Sequence, residues 1–124
     1  MARATGIGGV FFRSEDPDAL RDWYVAQLGL PQEPDGVVVL RWGPGGGSTV
    51  WAPFAEDTDY FGGREQQSMV NYRVDDLDGL LDALRARGVQ VDDHVQEMEG
   101  LGRFGWATDP EGNRFELWEP APGC

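Results

Sequence analysis

Lysine is absent, cysteine and histidine occur once each, and no apolar run approaches the roughly 20 residues that a membrane span requires. Each shortage excludes something. The one cysteine, Cys124, can form no internal disulfide and no thiolate-rich structural metal centre. The one histidine, His94, falls short of the two-histidine, one-carboxylate iron site of oxygenases within a single subunit. Met-Ala-Arg leads straight into strand-like sequence without a signal-peptide pattern, which predicts a cytoplasmic protein with no membrane contact. The 10 basic residues, all arginine, face 22 acidic ones. The resulting charge of −12 opposes approach to phosphate backbones, so nucleic acid is not an expected partner. Acidity of this size chiefly serves solubility.

What is present is enough for one core: 124 residues, 40% of them hydrophobic, predict a single domain over 1–124. The chain also repeats itself. Phe12-Arg13-Ser14-Glu15-Asp16-Pro17-Asp18-Ala19-Leu20 aligns, at an offset of 60, with Tyr72-Arg73-Val74-Asp75-Asp76-Leu77-Asp78-Gly79-Leu80. Each copy continues into a helix with the same punctuation. In the first, Asp16 caps, Pro17 takes the first helical position, Leu20, Trp23, Tyr24 and Leu28 form the apolar stripe, and Gly29 closes. In the second, Asp76 caps, Leu77, Leu80, Leu81 and Leu84 recur at helical spacing, and Gly88 suits the left-handed position after the end.

Turn-punctuated strands follow each helix: Val37 to Trp42 and Ser48 to Phe54 in the first copy, Val89 to Val95, Arg103 to Thr108 and Arg114 to Glu119 in the second. Asp109-Pro110-Glu111-Gly112-Asn113 reads as a turn rather than a metal loop. The closing strands echo each other as Val50-Trp51-Ala52-Pro53 and Leu117-Trp118-Glu119-Pro120. The expectation is α+β, two β-α-β-β-β modules over about 6–54 and 68–120, joined by a linker over 55–67. The linker is either plain or a loop that lays Tyr60 and Phe61 over a pocket mouth, the plain form being favoured slightly.

With the repeat in place, three segments in order carry a resemblance: Asp16 to Leu30 with Trp23-Tyr24 and Leu28-Gly29-Leu30; Val74-Asp75-Asp76-Leu77; and Arg103-Phe104-Gly105-Trp106 followed by Asp109-Pro110-Glu111-Gly112-Asn113-Arg114-Phe115-Glu116-Leu117. The chain resembles the vicinal oxygen chelate superfamily, which includes glyoxalases, bleomycin resistance proteins and dioxygenases. The resemblance implies an open curled sheet cup with helices outside, completed across a homodimer. It also implies a divalent metal held by four side chains, whose positions carry over to Gly9, Thr49, Met69 and Glu116. Only Glu116 is a ligand type there, so no cofactor is expected and a divalent metal is disfavoured.

Alternation along strands then puts Phe11, Trp51, Met69, Asn71, Glu116 and Trp118 on the cup wall, a mostly apolar lining of the kind that suits a small molecule. Glu116, among aromatics, is expected either to titrate high and serve as acid, base or counter-ion to a cationic ligand, or to bond an arginine such as Arg73. Asn71 orients a ligand or, by preference, bonds nearby backbone. Trp23 is expected in the core, with Trp42 and Trp106 as further core candidates, and His94 at the exposed surface. Three functions remain open. One is a metal-independent binding protein, as in the bleomycin-resistance branch; another is an enzyme using Glu116 or a non-standard metal site; the third is a degenerate member acting only as a partner-binding dimer.

Overall fold

The structure is a computed structural model that describes residues 2–124. The chain folds as two compact units, one made of residues 2–8 with Val70–Cys124 and the other of Gly9–Met69. The division falls inside strands β1 (Ala4–Ser14) and β4 (Ser68–Val74).

In the 9–69 unit, β1 leads into α1 (Pro17–Leu28), then β2 (Val38–Arg41) and β3 (Ser48–Ala55). Asp16 caps α1 by accepting from the Ala19 N–H at 3.1 Å. Gly29 ends it in the left-handed conformation, φ 65°, its N–H donating to the Val25 carbonyl. β3 lies parallel to β1 and antiparallel to β2. A third strand after the helix is reduced to the single bridge between Gln32 and Val38.

The other unit adds α2 (Leu77–Ala86), the short β5 (Gln90–Val91) and β6 (Gln96–Met98), then β7 (Gly102–Thr108) and β8 (Arg114–Pro120). The strand expected over Val89 to Val95 shrinks to β5. β8 pairs in parallel with β4 and antiparallel with β7, whose remaining edge takes both β5 and β6. Val74, Leu77, Leu81 and Leu117 form the core between α2 and the sheet, with Tyr72, Leu80, Leu84 and Phe115 packed around it. The turn after β7 closes as expected: Asp109 Oδ1 accepts from the Glu111 and Asn113 N–H groups at 2.9 Å each, and Gly112 has φ 86°.

Two core assignments need correction. Trp23 is 57% exposed and Leu28 65%, so the far side of the α1 stripe faces outward. The three-stranded sheet beneath α1 meets the helix through Trp51, which packs on Tyr24 at 4.8 Å, and Trp23 reaches only the edge of Tyr24. Trp42 is exposed as well, lying on its own hairpin: its indole N–H donates to Thr49 Oγ1 at 2.8 Å, and its ring sits where a Cβ on Gly47 would clash at 2.4 Å.

Candidate functional site

In the unit that contains α2, alternation sends Tyr72, Val74 and Leu117 toward the helix and therefore sends their neighbours to the opposite face. Asn71 is the register partner of Glu116, and Arg73 that of Trp118. On the other side of β8, β7 sets Trp106 beside Glu116 and Phe104 beside Trp118. Six side chains thus share one face because two strand pairings are in register.

At its centre is Glu116, 2% exposed. Asn71 Nδ2 donates to its Oε1 at 2.6 Å and Trp106 Nε1 donates to its Oε2 at 2.9 Å. Each carboxyl oxygen thereby has a buried donor, which offsets much of the cost of taking it from water. Asn71, expected to bond backbone, bonds this carboxyl instead. Its Oδ1 is buried without a hydrogen-bond partner and faces Gly8, where a Cβ would come to 2.3 Å of it and to 2.9 Å of Arg73 Cγ and Trp118 Cε3. Gly8 is required because the chain runs directly against the network.

Both indoles carry a guanidinium and a ring. Arg73 lies 4.9 Å over Trp118 and Arg114 5.2 Å over Trp106. Phe104 stacks on Trp118 at 5.8 Å, and the exposed His94 stacks on Trp106 at 6.0 Å. Such contacts favour a cation at an aromatic face. Arg73 Nη2 also donates to the main-chain oxygen of Cys124 at 2.9 Å. Burial draws the Arg73 guanidinium below its ordinary value, opposed by the charge at Cys124.

In the 9–69 unit, Phe11 stands beside Ala52 and Arg13 beside Phe54. Phe54 touches Phe11 at 5.3 Å, stacks on Tyr60 at 5.6 Å and meets Phe61 at 5.2 Å. Residues 55–67 are tied to Arg13 by side-chain hydrogen bonds. Arg13 Nε donates to the Gln66 carbonyl, Nη1 to those of Glu56 and Thr58, and Nη2 to that of Gly63, at 2.7–3.2 Å. Phe61, fully buried, plugs the loop beneath the same guanidinium at 5.2 Å.

Trp51 is a further correction. It packs on Phe12 and Tyr24, the helix side of its sheet, whereas Phe11 stands on the other face. The repeat explains why. Phe11 stands 60 positions before Asn71, and their register partners are Ala52 and Glu116; Arg13 and Arg73 likewise pair with Phe54 and Trp118. The structural counterpart of Trp118 is Phe54, three residues beyond Trp51, and an odd shift changes faces. Met69 belongs to the 9–69 unit and is buried. Of the residues named from sequence, Asn71, Glu116 and Trp118 come together, and Phe11 and Tyr60 gather around Phe54. Arg13, Arg73, Phe54 and Trp106 complete the two groups; the Arg-to-Arg coincidence in the repeat was the available signal for the first two.

The donor set does not fit a divalent ion. Gly9 and Met69 offer no hard donor, and Thr49 accepts from the Trp42 indole on the Trp51 face, which leaves Glu116 as the one ligand-type side chain of the four. Among the described residues, no group of three or more His, Cys, Asp or Glu side chains is placed to hold a metal. A cavity of about 580 Å³ in the same unit lies elsewhere, between β6, β7, the end of β8 and residues 121–122, with Glu97, Glu99, Arg103 and Glu119 in its wall.

The sequence profile of the Glyoxalase/Bleomycin resistance protein/Dioxygenase superfamily matches residues 6–117. No curated protein matches the chain. Among solved structures, a point variant of Streptomyces coelicolor methylmalonyl-CoA epimerase in complex with 2-nitronate-propionyl-CoA is similar at a TM-score of 0.74 and 18% identity, covering 96% of this chain and 99% of that one. Methylmalonyl-CoA epimerase from Mycobacterium tuberculosis is similar at 0.67 and 22%, covering 96% and 90%. The fold also matches a structure described as an NAD-dependent benzaldehyde dehydrogenase from Legionella pneumophila, at 0.61 and 12%, covering 91% and 98%. At these identities the likeness shows the glyoxalase-like fold.

Proposed function

Because the chain belongs to the Glyoxalase/Bleomycin resistance protein/Dioxygenase superfamily but carries a ligand-type side chain at only one of the four expected ion positions, we propose that it is a metal-independent receptor for a small molecule. The observation that carries this reading is the donor set: of the four expected ligand positions only Glu116 bears a ligand-type side chain, and its buried carboxyl is held by donors from Asn71 and Trp106. Stacked aromatics with a few placed polar groups are what small-molecule sites usually present. In this reading the protein is cytoplasmic and works as a pair of copies. The expected cationic ligand is weakened as a choice, since Arg73 and Arg114 already occupy indole faces.

A thermal-shift screen of small organic molecules tests the reading, since a ligand that binds only the native state raises its melting temperature. The expected result is one or more ligands whose shift is the same with and without chelator. Shifts that appear only with a divalent ion would overturn it.

A second reading has support in the fold matches to epimerases with CoA esters bound. In it the chain is an isomerase that moves a proton on a carbon acid, with Glu116, the only fully buried carboxyl among the described residues, as the proton-holding group. Deuterium uptake at the α-carbon of methylmalonyl-CoA, lost in Glu116→Gln, is its expected signature. A rate no higher than that of the buffer would remove it.

A further inference from the structure

The segment Ala121–Cys124 is folded back onto its own unit. The Ala121 N–H donates to the Leu101 carbonyl at 2.8 Å, the Cys124 N–H returns to the Ala121 carbonyl at 3.1 Å, and Cys124 Sγ reaches the Gly100 carbonyl at 3.1 Å. Gly123 makes the turn at φ 91°, a conformation that side-chain-bearing residues rarely adopt. Trp118 Nε1 donates to the same Leu101 carbonyl at 2.8 Å. The folded segment delivers the Cys124 main-chain oxygen to Arg73, and Ala121 and Pro122 form one wall of the 580 Å³ cavity.

Arg73 is the group that gives this contact chemical meaning. Its guanidinium carbon lies 4.9 Å from the Trp118 ring centre, and Phe104 extends that aromatic surface by stacking on Trp118. A guanidinium in such a setting recognises planar oxyanions, to which it can give two parallel hydrogen bonds. In a chain of charge −12, a partly buried cation on the Glu116 face is a selective feature for an anionic group. The oxygen it holds now belongs to a short segment anchored by few bonds and turned by a glycine.

We propose that Arg73 on Trp118 is a carboxylate-binding subsite and that residues 121–124 are its built-in competitor, the Cys124 main-chain oxygen standing where a ligand carboxylate binds. This inference rests on the receptor reading and assigns it a ligand class, an aromatic or other planar carboxylate. It also gives the site a regulatory element: ligand binding and the docked segment exclude each other, so apparent affinity is the intrinsic affinity multiplied by the fraction of molecules in which the segment is released.

Benzoate is the probe, with benzylamine as the cationic control, and affinity is read by calorimetry on the full chain. Gly123→Val puts a β-branched side chain at a positive φ and should free the segment, tightening benzoate about fivefold or more if most molecules are docked. Ala121→Pro removes the N–H that anchors the segment to Leu101 and should act in the same direction. Adding Arg73→Gln to either variant should cost at least about tenfold, the usual scale of one charge-assisted hydrogen bond. Arg73→Lys should fall between, and benzylamine should not compete. Unchanged benzoate affinity in both segment variants, undiminished binding with Arg73→Gln, or a preference for benzylamine would each overturn the proposal. Library ligands that stabilise the parent while the segment variants leave benzoate unaffected would keep the receptor reading and remove the competitor. No ligand for parent and variants alike would remove both.

Discussion

α1 and α2 begin with the same device, an aspartate carboxylate that accepts from the backbone N–H three residues on at 3.1 Å. They differ in what lies beneath. α2 buries Leu77 and Leu81 against Val74 and Leu117, whereas α1 has no fully buried residue and leaves Trp23 and Leu28 outside. Helix formation is a local matter of caps and spacing. Burial depends on the width of the sheet beneath and the face its side chains present, and no local signal carries that.

The same contrast holds for the two arginines that the repeat makes equivalent. Arg13 is spent on structure, gathering four carbonyls of the 55–67 loop. Arg73 lies over Trp118 and donates to the Cys124 main-chain oxygen. The residue type was kept and its work diverged.

Several substitutions would break or sharpen this comparison. The largest difference is expected between the helices: Leu81→Ala should cost about 2–4 kcal/mol through a cavity at the core, while Trp23→Ala should cost under about 1 kcal/mol. Chemical denaturation reads both, and equal losses would contradict the asymmetry. Arg13→Ala should cost about 1.5–3 kcal/mol and open 55–67 to proteolysis, whereas Arg73→Ala should leave that loop intact. Gly8→Ala should cost about 1–3 kcal/mol because its Cβ meets Asn71, Arg73 and Trp118. A neutral result would mean that the network can step aside.

The smallest effect is on pH dependence. Arg103 holds Asp78 below the usual carboxylate range through two hydrogen bonds at 2.9 and 3.0 Å. Backbone N–H groups do the same for Asp75, from Arg3, and for Asp109, from Asn113. All three belong to the unit containing α2. A depressed folded-state value contributes stability above the unfolded carboxylate value near 4, and that contribution is lost as pH falls below it. Asp78→Asn should therefore lower stability slightly at neutral pH, leave it unchanged in strong acid, and so flatten the acid limb of the stability curve. A steeper acid limb would contradict the assignment.

Much of the fold was legible because caps, stripes and turns are local. Asp16, Gly29, Asp76 and the Asp109 to Asn113 turn stand as the sequence pattern places them. The candidate site was legible only in part. Glu116, Asn71 and Trp118 follow from alternation along β4 and β8, but matching Trp51 to Trp118 by identity put Trp51 on the wrong face. Pairing register, set by backbone hydrogen bonds between distant strands, makes Phe54 the counterpart. The Trp106 bond to Glu116 was hidden for a similar reason, since it depends on the pairing of β7 with β8.

The central claim is that Asn71 and Trp106 occupy Glu116 in place of an ion. Amide-type proton NMR of the Trp106 indole N–H tests it most directly, with the protein titrated by zinc and by nickel. A resonance protected from solvent exchange and unmoved by either ion is predicted; one that shifts or vanishes at one equivalent of metal would contradict the claim.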